Sequence, residues 1–191
     1  MSYKNEFKNC LDGLFESLCD VSDWMYENPE LGFQEFKTSK YLVDYIQKNS
    51  KSVNYPSHGL ETAFDITFGE EGPLTVICVE YDALPEIGHA CGHNIIATAS
   101  IGAGLALKDI ASKLAIRVKL LGTPAEEGGG GKIILINEGA FEDASCSMMI
   151  HPGYEDVVNP TFTTIQQYTV EYFGKDAHAA GAPDQGINAL D

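Results

Sequence analysis

The residues best suited to chemistry lie in Gly88-His89-Ala90-Cys91-Gly92-His93-Asn94, where a thiol and an imidazole stand two positions apart. Thiolate and imidazole are ligands that suit zinc and similar divalent ions. A Cys-x-His pair is weak on its own, but two downstream segments supply further ligand types. Glu126 and Glu127 sit between a Thr123-Pro124 turn and the glycines at 128 to 131, and His151 follows the apolar run 147–150. Glu80, Tyr81 and Asp82 follow another apolar run, 74–79. Singly, each has an ordinary explanation. Paired acids are usually solvated surface, a histidine at a strand end is usually structural, an aspartate often caps a turn, and His58 reads as structural or surface. Together they have the composition of a divalent metal site.

Such a site needs protein ligands and an open position beside them. The ion acidifies water, lowering its pKa from ~15.7 to about 7, and a nearby carboxylate takes the proton and hands it to a leaving amine. Adjacent glutamates can divide this work, one holding metal while the next acts as general base. The machinery suits amide hydrolysis. A cysteine hydrolase pairing Cys91 with His93 is a poorer reading, because side chains at i and i+2 of a helix start do not face each other. A non-catalytic, metal-stabilised interaction module is the remaining alternative.

These side chains require elements that bring them to one rim. Apolar residues at helical spacing (Phe7, Leu11, Leu14, Phe15, Leu18, Val21, Met25) predict a helix over 3–27, stopped by Asn28-Pro29. A second is predicted over 34–48. Residues 62–68 alternate like a half-buried strand, and 74–79 reads as a strand covered on both faces. Asn94 is expected to cap an Ala- and Gly-rich helix reaching about 112. Strand 115–121, a helix near 132–137 and a buried strand 147–150 follow. Strands alternating with helices imply an α/β fold with a mixed, mostly parallel sheet flanked by helices in three layers. Ligands of such sheets collect at the carboxyl ends of the strands, where all the candidate residues fall. From 161 the pattern alternates through Ile165 to Phe173, so a boundary is placed near Asn159-Pro160, dividing 1–160 from 161–191; a last helix is expected to begin at 186–190.

The 191 residues carry a formal charge of −16, from 28 acidic and 12 basic side chains. That excess argues against nucleic-acid and anionic-membrane partners, which call for basic patches. Five scattered cysteines and no recognisable signal segment suggest reduced thiols in a cytoplasmic protein. Cys10, Cys19, Cys78 and Cys146 are expected to be buried as small hydrophobes.

Gly88-His89-Ala90-Cys91-Gly92-His93, Pro124-Ala125-Glu126-Glu127-Gly128-Gly129 and Ile150-His151-Pro152, together with Asn28 to Phe36 and Tyr81-Asp82-Ala83-Leu84-Pro85, resemble the aminoacylase and carboxypeptidase-G family of metallopeptidases. The likeness is to its amidohydrolase branch, which includes hippurate hydrolases; residues 92–97 are most similar to its Xaa-Arg dipeptidase group. The resemblance implies a zinc-peptidase-like catalytic domain followed by the start of a small α+β lid or dimerisation domain. It implies two bridged divalent ions, zinc first with manganese and cobalt as alternatives, held by Cys91, His93, Glu127 and His151. Glu126 would be the general base and Asp82 would orient the ligands. His178, in Gly174-Lys175-Asp176-Ala177-His178, would reach a partner subunit's site in a homodimer, and Asn188 would meet a substrate carboxylate. The implied substrate is a small dipeptide or N-acyl amino acid. Asn94 stands where many branch members carry Asp. The family also places a last ligand histidine in a C-terminal segment that this sequence does not reach. The expectation is therefore a piece of a longer protein, inactive or weakly active alone, or else a metal-binding or interaction fragment.

Overall fold

The helical spacing of the N-terminal apolar residues is realised as α1, Tyr3–Glu27. The structure is a computed structural model and describes residues 2–158, 160–161, 163–164 and 168–190. Leu18, Val21 and Met25 form the buried seam of α1, each contributing roughly 1.5–3 kcal/mol relative to an exposed position. Phe15 lies off that seam and is 63% exposed, a correction to its place in the predicted stripe. The Ser2 hydroxyl accepts the Asn5 N–H at 3.4 Å at one end, and the Asn28 amide donates to the Trp24 carbonyl at 2.8 Å at the other. The second helix, α2 (Phe36–Asn49), buries Leu42, Val43 and Ile46. Trp24 and Tyr41 stack between the two helices with centroids 4.2 Å apart.

Four strands follow: β1 (Phe64–Phe68), β2 (Leu74–Val79), β3 (Arg117–Gly122) and β4 (Ala144–Met148). They form one sheet in the order β1-β3-β2-β4. The β2–β3 and β2–β4 pairs are parallel, and β1 runs antiparallel to β3. Phe64, Ile66, Val118, Leu120, Ile77 and Val79 on one face pack with α1, α2 and α3 (His93–Ala111) in a single core. Val76, Cys78 and Leu121 on the other face meet Leu135 of α4, Gly131–Asn137. Helices therefore cover both faces of a mixed, mostly parallel sheet. Helix α3 with its short 3₁₀ extension is long and apolar enough to cross a membrane by composition alone, but it packs between α1 and the sheet.

Several local expectations are corrected. Strand β1 is buried on both faces rather than half-buried, because Phe64, Ile66 and Phe68 join the helical core while Asp65 on the other face pairs with Asn54 and lies against His58. Strand β4 spans Ala144–Met148 rather than 147–150 and is largely exposed: it is an edge strand paired with β2 that, unlike β1, gives no buried residue to either core cluster. Cys19 and Cys146 are exposed for related reasons, one on the outside of α1 and one on that strand. The cap of α3 is Gly92, while the Asn94 amide instead donates to the Ser22 hydroxyl at 2.9 Å, tying α3 to α1.

The chain divides into two units, Met1–Tyr154 and Glu155–Asp191. In the second, Lys175 and Ile187 pair antiparallel around a 3₁₀ turn, Pro183–Gln185. The helix expected at 186–190 does not form. Ile187 is extended by its pairing with Lys175, and the Asn188 side chain accepts the Leu190 N–H at 3.2 Å to make a tight turn. Of the expected alternating strand, Ile165 to Gln167 lie outside the described residues, as does Asn159 at the expected boundary, and residues 168–173 form no regular element.

Candidate metal centre

Every strand of the parallel set ends at the same rim. Asp82, three residues beyond β2, is the hub and is 1% exposed. Nδ1 of His93, the first residue of α3, lies 2.8 Å from the Asp82 carbonyl oxygen and 3.0 Å from its Oδ1. A carbonyl can only accept, so Nδ1 carries the proton and Nε2 of the neutral ring presents a lone pair. The other Asp82 oxygen accepts the Glu127 N–H at 2.8 Å. One carboxylate thus orients two separate segments.

The His93 Nε2 atom has no hydrogen-bond partner among the described residues although its ring is buried, and neither does Glu80 Oε2. Glu80 Oε2 lies 3.5 Å away, Glu126 Oε2 3.8 Å and Glu127 Oε1 3.8 Å. Three carboxylates around an imidazole lone pair repel one another unless a positive charge sits among them. Lys132, from α4, pairs with the other oxygen of Glu80, one cation against three acids. Two sets of atoms are each mutually within 4.8 Å: Glu80, His93 and His151, and His93, Glu126 and Glu127. The imidazole and carboxylate donors, with a buried orphan pair at the centre, fit a divalent ion of the zinc, manganese or cobalt kind.

The local backbone makes this convergence possible. Gly92 caps α3 at φ +81°, and a Cβ there would come 2.9 Å from the Pro152 ring. Its absence lets the His151-Pro152 segment lie against the Cys91–His93 turn, with the His93 and His151 rings 6.1 Å apart and edge-on. Across the site, Ala125 has φ +54°, a left-handed conformation that costs an L-residue about 1–2 kcal/mol. A Cβ at Gly131 would fall 1.9 Å from the Pro124 carbonyl oxygen, so only glycine lets α4 begin this close to the turn.

The charge pattern follows from this crowding. Burial would lower the His93 imidazole, but its hydrogen bond to Asp82 and the charges of Asp82 and Glu80 raise it above the ordinary value. Burial would raise the Asp82 carboxyl, yet the same bond and the Glu127 N–H hold it low. Glu126 is raised by burial and then by the charge of Glu80, in the direction that suits a proton acceptor working near neutral pH. The Cys91 thiol is pushed up to about 11, first by its hydrogen bond to Glu127, then by burial and the surrounding acids. A thiol held that high is protonated at neutral pH and is a poor nucleophile unless a cation draws off its proton.

The structure therefore gathers Asp82, Cys91, His93, Glu126, Glu127 and His151 in one place. His151 is the most loosely held: it is exposed, and its Nδ1 lies 2.8 Å from the Pro152 carbonyl. A groove of about 520 Å³ lined by Tyr26, His89, Cys91, Ile95 and His151 opens beside it. His178 belongs to the second unit, where its Nδ1 accepts the Ala180 and Gly181 N–H groups at 3.2 and 2.9 Å. Sequence reasoning placed Glu80 among the candidate groups at the rim but gave it no specific part. Its signal was an acid placed directly after the fully buried end of β2, a position that demands partners.

The profile of peptidase family M20/M25/M40 matches residues 76–189. Xaa-Arg dipeptidase of Mus musculus is 38% identical over 195 residues, covering 95% of this chain and 45% of that protein. One of the subunits of p-aminobenzoyl-glutamate hydrolase from Escherichia coli K12 is 30% identical over 90% of this chain and 40% of its own length. A crystal structure from Bacillus subtilis, described as a dinuclear metal binding peptidase of the M20 family, superposes with a TM-score of 0.63 at 25% identity, over 71% of this chain and 42% of that one. The chain spans about half the length of the curated relatives it matches.

Proposed function

The chain belongs to peptidase family M20/M25/M40, and from that premise we propose that it supplies the metal-binding and proton-transferring part of a hydrolase acting on the amide bond of a dipeptide or N-acyl amino acid. The carrying observation is the buried His93 ring: its Nδ1 is fixed by Asp82, and its Nε2, with no hydrogen-bond partner among the described residues, faces Glu80, Glu126 and Glu127. The residues proposed to hold two divalent ions are Cys91, His93, Glu127 and His151, with Glu80 close enough to join them. Ions there would supply Lewis acidity and acidify water.

The chain's own groups do the rest. Asp82 sets the His93 tautomer and holds the Glu127 backbone, so both ligands arrive oriented. Glu126, with its side chain 42% exposed against 24% for Glu127, is the acid with freer access to solvent and substrate. It takes a proton from water and returns it to the departing amine nitrogen. Lys132 pairs directly with Glu80 beside it. Relatives bearing the names Xaa-Arg dipeptidase and p-aminobenzoyl-glutamate hydrolase support small substrates with a terminal carboxylate. Within the same reading, His178 serves the site of a second copy in a homodimer.

Chelation tests this together with Glu126→Gln. Both should abolish hydrolysis of a dipeptide panel by the full-length protein, while Glu126→Gln keeps its bound metal. Turnover that survives both treatments would dismiss the mechanism. Stoichiometric metal with no turnover by the full-length protein on any dipeptide or N-acyl amino acid would favour a binding role instead.

A further inference from the structure

Glu35 takes no part in the chemistry proposed above, yet it is an acid with no solvent exposure. It stands at the start of α2, and both of its oxygens are engaged. One accepts the Ala125 N–H at 2.8 Å, and the other accepts the Thr62 hydroxyl at 3.0 Å. A neutral apolar residue would fill this space with no desolvated charge to satisfy, so the choice of a carboxylate calls for a reason.

Ala125 supplies it. This residue immediately precedes Glu126 and Glu127, and it holds φ +54°, a region that residues bearing a Cβ rarely adopt. Strained backbone of this kind persists only where its surroundings over-determine it. Here the surroundings are the Glu35 carboxylate on the Ala125 N–H, the Gly131 N–H on the Ala125 carbonyl at 3.1 Å, and glycines at 32 and 129. A Cβ on Gly32 would lie 3.0 Å from Ala125 Cα, and one on Gly129 would lie 2.6 Å from Ala125 Cβ. The same carboxylate links to the other side of the site. Thr62, which donates to it, accepts the Tyr81 hydroxyl on its carbonyl at 2.7 Å, and Tyr81 lies between Glu80 and Asp82. A hydrogen-bonded chain, Ala125–Glu35–Thr62–Tyr81, therefore ties the segment bearing Glu126 and Glu127 to the strand end bearing Glu80 and Asp82.

We propose that Glu35 is a positioning residue of the metal centre, holding Ala125 in its left-handed conformation and so fixing the directions in which Glu126 and Glu127 leave the backbone. The inference rests on the metal-centre reading given above. Its test is the affinity of the chain for Co²⁺, measured by competition with a chelator, together with the absorption spectrum of the Co²⁺-loaded chain and its thermal melting.

Glu35→Ala should weaken Co²⁺ binding by about ten-fold, the low end of what losing an outer partner costs a metal site, and should alter the spectrum. Glu35→Gln keeps an oxygen for the Ala125 N–H, and Thr62 can turn its hydroxyl to accept, so affinity and spectrum should return towards the wild-type values. A Glu35→Ala chain that melts earlier but binds Co²⁺ with unchanged affinity and spectrum overturns the proposal and leaves Glu35 a fold-holding residue. If Glu35→Ala does not fold, Thr62→Val decides, since it removes one anchor of the same carboxylate: weaker binding supports the proposal and wild-type binding overturns it. A wild-type chain that binds no Co²⁺ removes the metal centre itself, and this inference with it.

Discussion

The two sides of the candidate metal centre are built differently. The inner side, Glu80, Asp82 and His93, is almost fully buried and locked by hydrogen bonds to backbone and side chain. The outer side, His151, is exposed and touches its own neighbour Pro152 at the end of an outer strand. Burying a polar group is costly unless it is bonded, so the bonds that anchor Asp82, His93 Nδ1 and the Glu127 N–H pre-organise the inner side with the same forces that fold the domain and leave His93 Nε2 and Glu80 Oε2 facing the site. The outer side is free of that requirement. Metal affinity and fold stability should therefore be coupled on one side of the site and separable on the other.

The strongest challenge to that contrast is Asp82→Ala. It strips the Glu127 N–H of its acceptor and leaves the His93 ring N–H only the Asp82 carbonyl, and should cost about 1–3 kcal/mol of stability, read by chemical denaturation, as well as metal affinity. His151→Ala should also weaken metal binding, but should shift stability by no more than about 0.5 kcal/mol, as surface changes do. Equal destabilisation by both would erase the distinction.

The distinction is sharpened by pH. His93 is raised above its ordinary value, so protons compete for the ring up to a higher pH than usual, and metal affinity should climb as pH rises through that range. Cys91, held at about 11, must give up its proton to bind an ion. Metal binding should then release protons near neutral pH, measured by titration calorimetry in buffers of different ionisation enthalpy. A buffer-independent heat would contradict this.

A smaller effect concerns the brace behind the site. Burial holds the Tyr81 hydroxyl well above its ordinary value of 10. Below that pH, both folded and unfolded chains keep the proton. Above it the unfolded chain loses the proton first, so stability should fall as pH rises. Tyr81→Phe should lessen that alkaline slope and cost about 1 kcal/mol at neutral pH for the lost hydrogen bond, visible in melting curves across alkaline pH.

Much of this architecture could be read in the residues themselves. The uninterrupted apolar run of β2 announced a strand covered on both faces, and the acids after it announced the rim. The Glu126-Glu127 pair stood out because glycines and a Thr-Pro turn made it an unlikely solvated surface. What escaped was set by tertiary partners. Glu35 carried no sign of a role in the sequence, and only the fold shows that Lys132 and Ala125 answer Glu80 and Glu35. Asn94 carries an ordinary capping side chain, but Gly92 already turns the backbone in the left-handed region, which frees the amide to reach Ser22. The exposure of β4 could not be read from Ser147 to Ile150, because an outer strand and a central one can share the same apolar run.

The most direct measurement is Co²⁺ titration of the purified chain, followed by absorption, for wild type, His93→Ala and Cys91→Ser. A cation site centred on the buried imidazole predicts saturable binding with a sulfur-to-cobalt charge-transfer band. His93→Ala should lose the binding, and Cys91→Ser should lose the band. A titration with no saturable binding, or one that His93→Ala leaves unchanged, would contradict it.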